Sequence, residues 1–246
     1  MKRPSWQVAL GLALVALSAA VYLVHYFVFR DLHHIFIYLV GDVAFVFVEV
    51  LLVTLIIHRL LGEREKRAKL EKLNMVIGTF FSQVGTNLLA YLSDADPALE
   101  DIRSELIVDG DWSEQTFSSA DKRLRVYEYN IDIQKVSLTA LHSFLAQKRD
   151  FLVRLLENPT LLEHESFTEL LRAVFHLAEE LAARPTLADL PDTDYQHLAG
   201  DLRRIYGLLV DQWLDYMWHL KNNYPYLFSL AMRTNPFDQE ASPLVR

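Results

Sequence analysis

The hydrophobic and polar positions divide the chain into two regions with different periodicity. Residues 6–29 and 35–57 form two nearly continuous apolar runs, which are joined by a short turn at residues 30–34. Beyond residue 72, apolar side chains recur every three or four positions, which is the period of an amphipathic helix. No convincing strand alternation is present. The pattern predicts an all-α chain, in which a two-helix transmembrane hairpin is followed by a cytoplasmic antiparallel helical bundle.

Each of the two apolar runs is long enough to cross a membrane. A span needs about 20 predominantly apolar residues, because the hydrocarbon core is roughly 30 Å thick. The first run has no charged residue, and it continues well beyond the roughly 7–15 apolar residues of a signal peptide. We therefore predict uncleaved spans at about 7–29 and 35–57, within a hairpin of residues 1–58.

The basic residues flanking the hairpin predict its orientation. Lys2 and Arg3 precede the first span, whereas the turn between the spans carries Arg30 beside Asp31. Six basic residues follow the second span in a helical connector of residues 59–72: Arg59, Arg64, Lys66, Arg67, Lys69 and Lys72. Because basic residues favour the cytoplasmic side, we expect a multi-pass protein of the cell inner membrane with its N-terminus and C-terminal domain cytoplasmic. The six are also candidate contacts to anionic lipid headgroups, and a solvated helix face is a compatible, simpler interpretation.

The uncharged stretch 73–93 has two interpretations that place the rest of the chain on opposite sides of the membrane. Amides such as Asn74 and Asn87 are costly in hydrocarbon, and the apolar residues of this stretch have amphipathic period. We therefore expect it to be the first helix of a cytoplasmic domain, residues 73–235, which a tail of residues 236–246 follows. A third membrane span is the alternative.

Capping and breaking residues divide the domain into helices. Asp96 and Ser113 are candidate N-caps, and Asn158-Pro159 and Arg184-Pro185 are candidate stops. The predicted helices cover residues 96–108, 113 to about 129, 131–157, 163–184, 194 to about 223 (capped by Asp192 or Thr193) and a short segment near Pro225. We expect a bundle of five or six helices.

Charge and cysteine content exclude several functions. Residues 73–246 hold 15 basic and 26 acidic residues, a net charge of −11. Since nucleic-acid binding depends on neutralising phosphates, we expect no nucleic-acid partner. The chain has no cysteine, which excludes disulfides, thiolate metal sites and cysteine nucleophiles.

Ionisable residues within the spans give the strongest local signal of function. Asp42 and Glu49 are seven residues apart, about 700° of helical turn, and therefore lie on nearly the same face. Ionisable side chains at membrane depth are rare and usually functional. His25 in the first span is at a similar height to Asp42 and is a candidate partner, whereas Glu49 has no such partner. These three residues predict either contacts within a homo-oligomer or a path for protons or cations.

The remaining chemistry-bearing residues match no catalytic or metal motif. Two groups each share a helical face: His176 with Glu179 and Glu180, and Asp211 with Asp215 and His219. The Glu-x-x-His repeats of four-helix di-iron proteins are absent, so we expect solvated faces or hydrogen bonds, and no metal or other cofactor. Phosphate loops, nucleophile elbows and His-Glu-x-x-His are also absent, so we expect no catalytic residues and no enzyme activity.

These features favour a membrane-anchored helical scaffold or signalling protein that self-associates and binds another protein. Its expected partners are membrane lipids, further copies of the chain and a protein. The alternative is a homo-oligomeric ion or proton channel, or a transporter component, that uses the Asp42/Glu49 face. The aromatic-rich region 213–228 predicts core packing, with a docking patch as the alternative.

Overall fold

The computed structural model describes residues 6–159, 161 and 164–245, without the side chains of residues 7–9, 63–65 and 67–69. Over these residues the chain is helical and contains no strand, which confirms the predicted fold class. Contacts within the chain divide it into two units, Met1–Lys66 and Arg67–Arg246. The two units are described separately.

The first unit is the N-terminal helical hairpin. Helix α1 spans Trp6–Phe29, and helix α2 begins at Leu32 and ends at Phe80 in the second unit. Arg30 makes the turn with a φ of 49°, and its amide donates to the carbonyl of Tyr26 at 2.8 Å. A left-handed residue directly after a helix is a common way of ending it, because its amide closes the last turn.

The hairpin helices have the length and composition of membrane spans. The segments Leu10–Phe29 and Leu32–Gly62 have mean hydropathies of 2.1 and 2.5, and none of either apolar segment is buried within the protein. A helix that is apolar all round and covered by nothing is stable only in an apolar environment. The hairpin is therefore compatible with a membrane location.

The second unit is a bundle built around one long helix. Helix α7 packs against α3, α4, α6 and α8, and helix α5 packs against α6. After a π-helical turn at Phe81–Gly85, the helices are α3 Thr86–Ser93, α4 Glu114–Val126, α5 Leu138–Leu156, α6 Glu165–Ala183, α7 Asp192–Asn223 and α8 Pro225–Arg233. The antiparallel helices α5 and α6 bury their apolar faces against each other, and α6 packs in the same way against α7.

Residues 73–93 lie in the core of this bundle. Eight of their apolar side chains are at most 5% exposed: Leu73, Ile77, Phe80, Phe81, Val84, Leu88, Leu89 and Leu92. The segment Leu70–Ser93, which includes these residues, is also apolar enough to cross a membrane. However, 44% of an apolar 18-residue stretch within it is buried in the protein, in contrast to the two hairpin helices. The amphipathic period correctly predicted a face that packs against other helices.

Some predicted helix ends are confirmed and others are wrong. Ser113 caps α4, and α8 begins at Pro225, both as predicted. Helix α5 begins later than predicted, because Ser137 accepts from the amide of Ala140 and caps it there. Helix α7 begins at Asp192, so neither Asp192 nor Thr193 is its cap.

The helix predicted at residues 96–108 is replaced by two short 3-10 turns, Leu99–Asp101 and Arg103–Glu105. Asp96 accepts from the amide of Ala98 and from the hydroxyl of Tyr127, so its side chain starts a turn rather than capping an α-helix. Buried Leu99 and Ile102 are three residues apart, which matches the 3-10 period.

The predicted tail of residues 236–246 is wrong at its beginning. Phe237 is 1% exposed, and its ring packs edge-to-face on Trp213 with centroids 5.1 Å apart. Its carbonyl accepts from Arg103 at 2.6 Å. A single aromatic residue in a polar stretch has no periodicity, so the pattern did not indicate that it is buried.

Candidate functional site

The polar residues of the hairpin are only partly brought together. The hydroxyl of Tyr22 donates to Asp42 at 3.2 Å. His25 forms no hydrogen bond or ion pair with Asp42 in the described structure, and its ring centroid lies 4.8 Å from that of Phe29 and 6.3 Å from that of His34. The predicted His25–Asp42 contact is therefore wrong, because Tyr22, almost one turn earlier on the same helix, reaches the carboxylate with its longer side chain.

The two acidic residues of the predicted second span lie on the surface of the hairpin. Asp42 and Glu49 are exposed, and Glu49 has no hydrogen bond or ion pair to any described residue. Nδ1 of His25 is shielded from solvent and also has no hydrogen-bond partner within the described chain. One hydroxyl is thus hydrogen-bonded to one carboxylate, and Glu49 remains exposed within the apolar residues 35–57.

The basic connector contributes exposed charge. Arg59, Lys66 and Lys72 are exposed, as a headgroup contact or a solvated face requires. The other predicted residues lie outside the described part of the chain: Lys2 and Arg3 entirely, and Arg64, Arg67 and Lys69 in their side chains.

The bundle carries a groove of about 830 Å³ between the segment around the π-helical turn and the helices α7 and α8. Asn74 on α2 is hydrogen-bonded to Nδ1 of His219 on α7 at 3.0 Å, and burial lowers the pKa of that histidine. Gly78 allows close approach here, because a Cβ at this position would lie 3.1 Å from the hydroxyl of Tyr216. The floor of the groove therefore combines a polar pair with an aromatic ring.

The rim of this groove is apolar and exposed. Met75, Tyr226 and Leu230 are 58%, 71% and 45% exposed. In the same C-terminal region, Trp213 and Phe228 are buried. The aromatic-rich region thus contributes to the core, as its composition predicted, and also to an accessible apolar surface, whereas docking of a partner there stays a prediction.

A second polar site joins α6 to α7. His176 and Glu180 are one turn apart on α6, and His197 and Asp201 are one turn apart on α7. Nε2 of His176 lies 3.8 Å from both Glu180 and Asp201, and Nε2 of His197 lies 3.7 Å from Glu180 and 3.5 Å from Asp201. We call these four residues the α6–α7 cluster.

The sequence pattern predicted only half of this cluster. It grouped His176 with Glu179 and Glu180, but Glu179 pairs with Arg149 at 3.0 Å instead. His197 and Asp201 were missed, although the chain carries a signal for them: His-x-x-x-Glu on one helix and His-x-x-x-Asp on the next. The other predicted group, Asp211 with Asp215 and His219, is not among the sets of potential metal ligands that the described residues bring together.

Arg184 orients one residue of the cluster, Glu180. Its guanidinium donates to Glu180 Oε2 at 2.8 Å and forms two hydrogen bonds with Asp194, at 2.8 and 2.6 Å. This hydrogen bond from Arg184 lowers the pKa of Glu180. The carboxylate is therefore held ionised and in a fixed orientation.

Comparison with known proteins covers both units. Residues 1–61 match the family model "MJ1433, N-terminal helical domain", and residues 69–233 match "Uncharacterized protein MJ1433, C-terminal helical domain". Uncharacterized protein MJ1433 of Methanocaldococcus jannaschii is 47% identical over 241 residues, which cover 98% of this chain and 97% of that protein. No solved structure matches the chain. The chain therefore belongs to the MJ1433 family and contains its N-terminal and C-terminal helical domains in the same order.

Proposed function

We propose that this protein is a membrane-anchored helical scaffold that self-associates through the Asp42/Glu49 face of α2 and binds another protein through its helical bundle. One observation carries the proposal. Two acidic side chains lie exposed on a predicted span, residues 35–57, that has no other charged residue, and a single hydroxyl within the chain is hydrogen-bonded to one of them, Asp42. The N-terminus and the bundle are both on the cytoplasmic side in this proposal, and the role is not enzymatic.

The energetics of a carboxylate in lipid favour self-association. An acidic residue near the centre of a spanning helix costs about 2.5–3.5 kcal/mol on insertion scales when it faces lipid. A second copy supplies hydroxyl, imidazole or carboxyl groups that hydrogen-bond to Asp42 and Glu49 and remove part of this cost. Because Tyr22 reaches only Asp42, Glu49 gains most from a neighbouring copy.

The cytoplasmic placement has two supports. The basic residues lie before the first span and after the second, as expected for cytoplasmic flanks. Within the third apolar segment, Leu70–Ser93, 44% of an apolar 18-residue stretch is buried in the protein, and so an additional crossing would remove core residues of the bundle.

The groove with its rim of Met75, Tyr226 and Leu230 supports the binding of a protein partner. Exposed aromatic and aliphatic side chains around a concave surface are typical of sites that take the apolar face of a helix. The net charge of −11 over residues 73–246 favours a partner whose contacting surface is basic.

The mass of the purified complex in detergent tests self-association. We expect the wild type to be an oligomer. The double variant Asp42→Leu/Glu49→Leu should no longer form the oligomer, because leucine cannot hydrogen-bond across the interface. Thr54→Leu is the matched control: it also replaces a polar residue of α2, but about 120–140° around the helix from the two acids, and should leave the mass unchanged. A monomeric wild type, or a double variant that keeps the full mass, contradicts the proposal.

Flux measurements separate the scaffold from a channel, which would use the same carboxylates. We expect proteoliposomes of the wild type to show no more proton or cation flux than those of Asp42→Asn/Glu49→Gln. Flux in the wild type that this variant abolishes would replace the scaffold role with the channel or transporter role.

A further inference from the structure

The α6–α7 cluster has no part in self-association or in the groove, and its donor set is that of a metal site. We propose that His176, Glu180, His197 and Asp201 bind one divalent first-row transition ion, with Zn²⁺ the best match. This site would be additional to the scaffold role and does not depend on it.

The distances between the ligand atoms fit a shared ion better than direct contacts. The four separations between Nε2 atoms and carboxylate oxygens are 3.5–3.8 Å. Hydrogen bonds between nitrogen and oxygen are about 2.7–3.2 Å long, so these pairs are too far apart to bond well. Two ligands held about 2.0–2.1 Å from a tetrahedral zinc ion lie about 3.3 Å from each other. Small side-chain movements would close the remaining difference.

The spacing along each helix places the potential ligands on the facing surfaces of α6 and α7. Residues four apart on a helix lie on the same face, one turn above the other. His176 and Glu180 on α6 therefore face His197 and Asp201 on α7. Potential ligand atoms of His176, Glu180 and His197 lie within 4.8 Å of one another, and Asp201 is not in this set of three but has its Oδ2 atom 3.8 and 3.5 Å from the two imidazoles. Two imidazoles and two carboxylates are the nitrogen and oxygen ligands that zinc and its neighbours in the first transition row accept.

Arg184 leaves one oxygen of Glu180 free for an ion. It donates to Oε2 at 2.8 Å, and this oxygen also faces His197 at 3.7 Å. The other oxygen, Oε1, faces His176 at 3.8 Å. Asp194 in turn fixes the guanidinium with two hydrogen bonds. A hydrogen-bonded neighbour that orients a coordinating carboxylate is a regular feature of protein metal sites. An ionised carboxylate is also the form that coordinates a metal.

Asp201 supplies an independent observation. Its Oδ2 atom is shielded from solvent and has no hydrogen-bond partner within the described chain. The same atom faces both imidazoles, at 3.8 and 3.5 Å. A buried acceptor without a donor is costly and rare in native proteins, and an ion bound beside it removes that cost. An ion between the two histidines would contact this oxygen directly.

Ions can reach the site from solution, and a bound ion would link α6 to α7. The side chains of His176 and His197 are 53% and 50% exposed, so an ion reaches them without any opening of the bundle. The ligands lie on either side of the connection between α6 and α7. Because an ion that binds the folded state stabilises it, Zn²⁺ should raise the melting temperature.

Zinc titration of the full-length protein tests the site. The protein is purified in detergent without a polyhistidine tag, stripped with EDTA and titrated calorimetrically with Zn²⁺. The variants are His176→Ala/His197→Ala and the conservative Asp201→Asn. His142→Ala on α5 is the matched control, because it removes a histidine outside the cluster. Circular dichroism verifies that each variant keeps its helical content.

We expect the wild type and His142→Ala to bind one ion per chain and to melt at a higher temperature with Zn²⁺. The double histidine variant and Asp201→Asn should bind at least about tenfold more weakly and lose the shift in melting temperature. Absence of binding by the wild type overturns the proposal. So does equal affinity in the wild type and the double histidine variant, which would indicate adventitious surface binding.

Discussion

Gly85 shows how one residue determines the packing of the helix that opens the bundle. A Cβ at this position would lie 2.6 Å from Cδ1 of Phe81 and 2.9 Å from Cε1 of Phe80. Both phenylalanines are at most 2% exposed, so neither ring has free space to move into. The π-helical turn Phe81–Gly85 brings the two adjacent rings into the core together, and the missing side chain of Gly85 makes room for them.

Replacing Gly85 with alanine should destabilise the bundle. Overpacking a core costs about 1–3 kcal/mol, and alanine returns up to about 1 kcal/mol through its higher helix propensity. We expect a net loss of about 1–2 kcal/mol in the free energy of unfolding. Denaturation of the full-length protein in detergent, followed by tryptophan fluorescence, measures it.

The control for this substitution is Gly200→Ala in α7, where a Cβ would meet nothing within 4 Å. The propensity gain acts there without a clash, and the variant should be more stable by about 0.5–1 kcal/mol. Stabilisation by both substitutions would show that Gly85 is not needed for the packing of the two rings.

At the scale of elements, the C-terminal segment belongs to the fold for a few residues beyond its last helix. The carbonyl of Leu106 accepts from the side chain of Asn235, whose own Oδ1 accepts from the amide of Phe237. These bonds place the ring of Phe237 against Trp213. The segment thereby links α7 to the irregular region that follows α3.

Removing the ring of Phe237 should cost as much as removing a central core residue. Phe237→Ala is expected to lower the free energy of unfolding by about 3–5 kcal/mol, since it leaves a cavity beside Trp213. Truncation after Glu240 removes no buried residue of the described chain and one exposed contact from Arg233, and should change stability by less than about 0.5 kcal/mol. Thermal unfolding of both proteins checks this, and a neutral Phe237→Ala would mean that the tail does begin before Phe237.

Periodicity predicted the elements that carry long amphipathic faces, and it failed where local hydrogen bonds or distant partners decide the structure. Ser113 and Pro225 act locally, so the helix ends they determine could be predicted. Residues 96–108 depend on the contact between Asp96 and Tyr127, which are 31 positions apart in the chain. The periodicity of apolar residues in the sequence does not indicate a contact of this kind.

The same distinction between local patterns and contacts between distant residues applies to the candidate site residues. The common face of Asp42 and Glu49 follows from helix geometry within one element and could be predicted. The partner of Asp42 could not, because the register between α1 and α2 decides whether Tyr22 or His25 reaches it. Likewise, His197 and Asp201 join His176 and Glu180 only through the packing of α6 on α7.

For the whole molecule, the central proposal is that the chain crosses the membrane twice and that the bundle lies on the same side as the N-terminus. The two hairpin segments are entirely unburied, whereas the third apolar segment contributes to a packed core. Self-association through α2 and partner binding by the bundle both presuppose this arrangement, because a third crossing would dismantle the core and move the acidic surface to the opposite side.

Labelling of single introduced cysteines in intact cells measures this arrangement most directly. Because the chain has no natural cysteine, each introduced cysteine is its single labelling site. Position 33 lies at the start of α2 beside the turn, and Val126, at the end of α4, is 80% exposed. We expect a membrane-impermeant maleimide to label His33→Cys in intact cells and Val126→Cys only after lysis. Labelling of Val126→Cys in intact cells would contradict the two-crossing account, whether or not His33→Cys is also labelled.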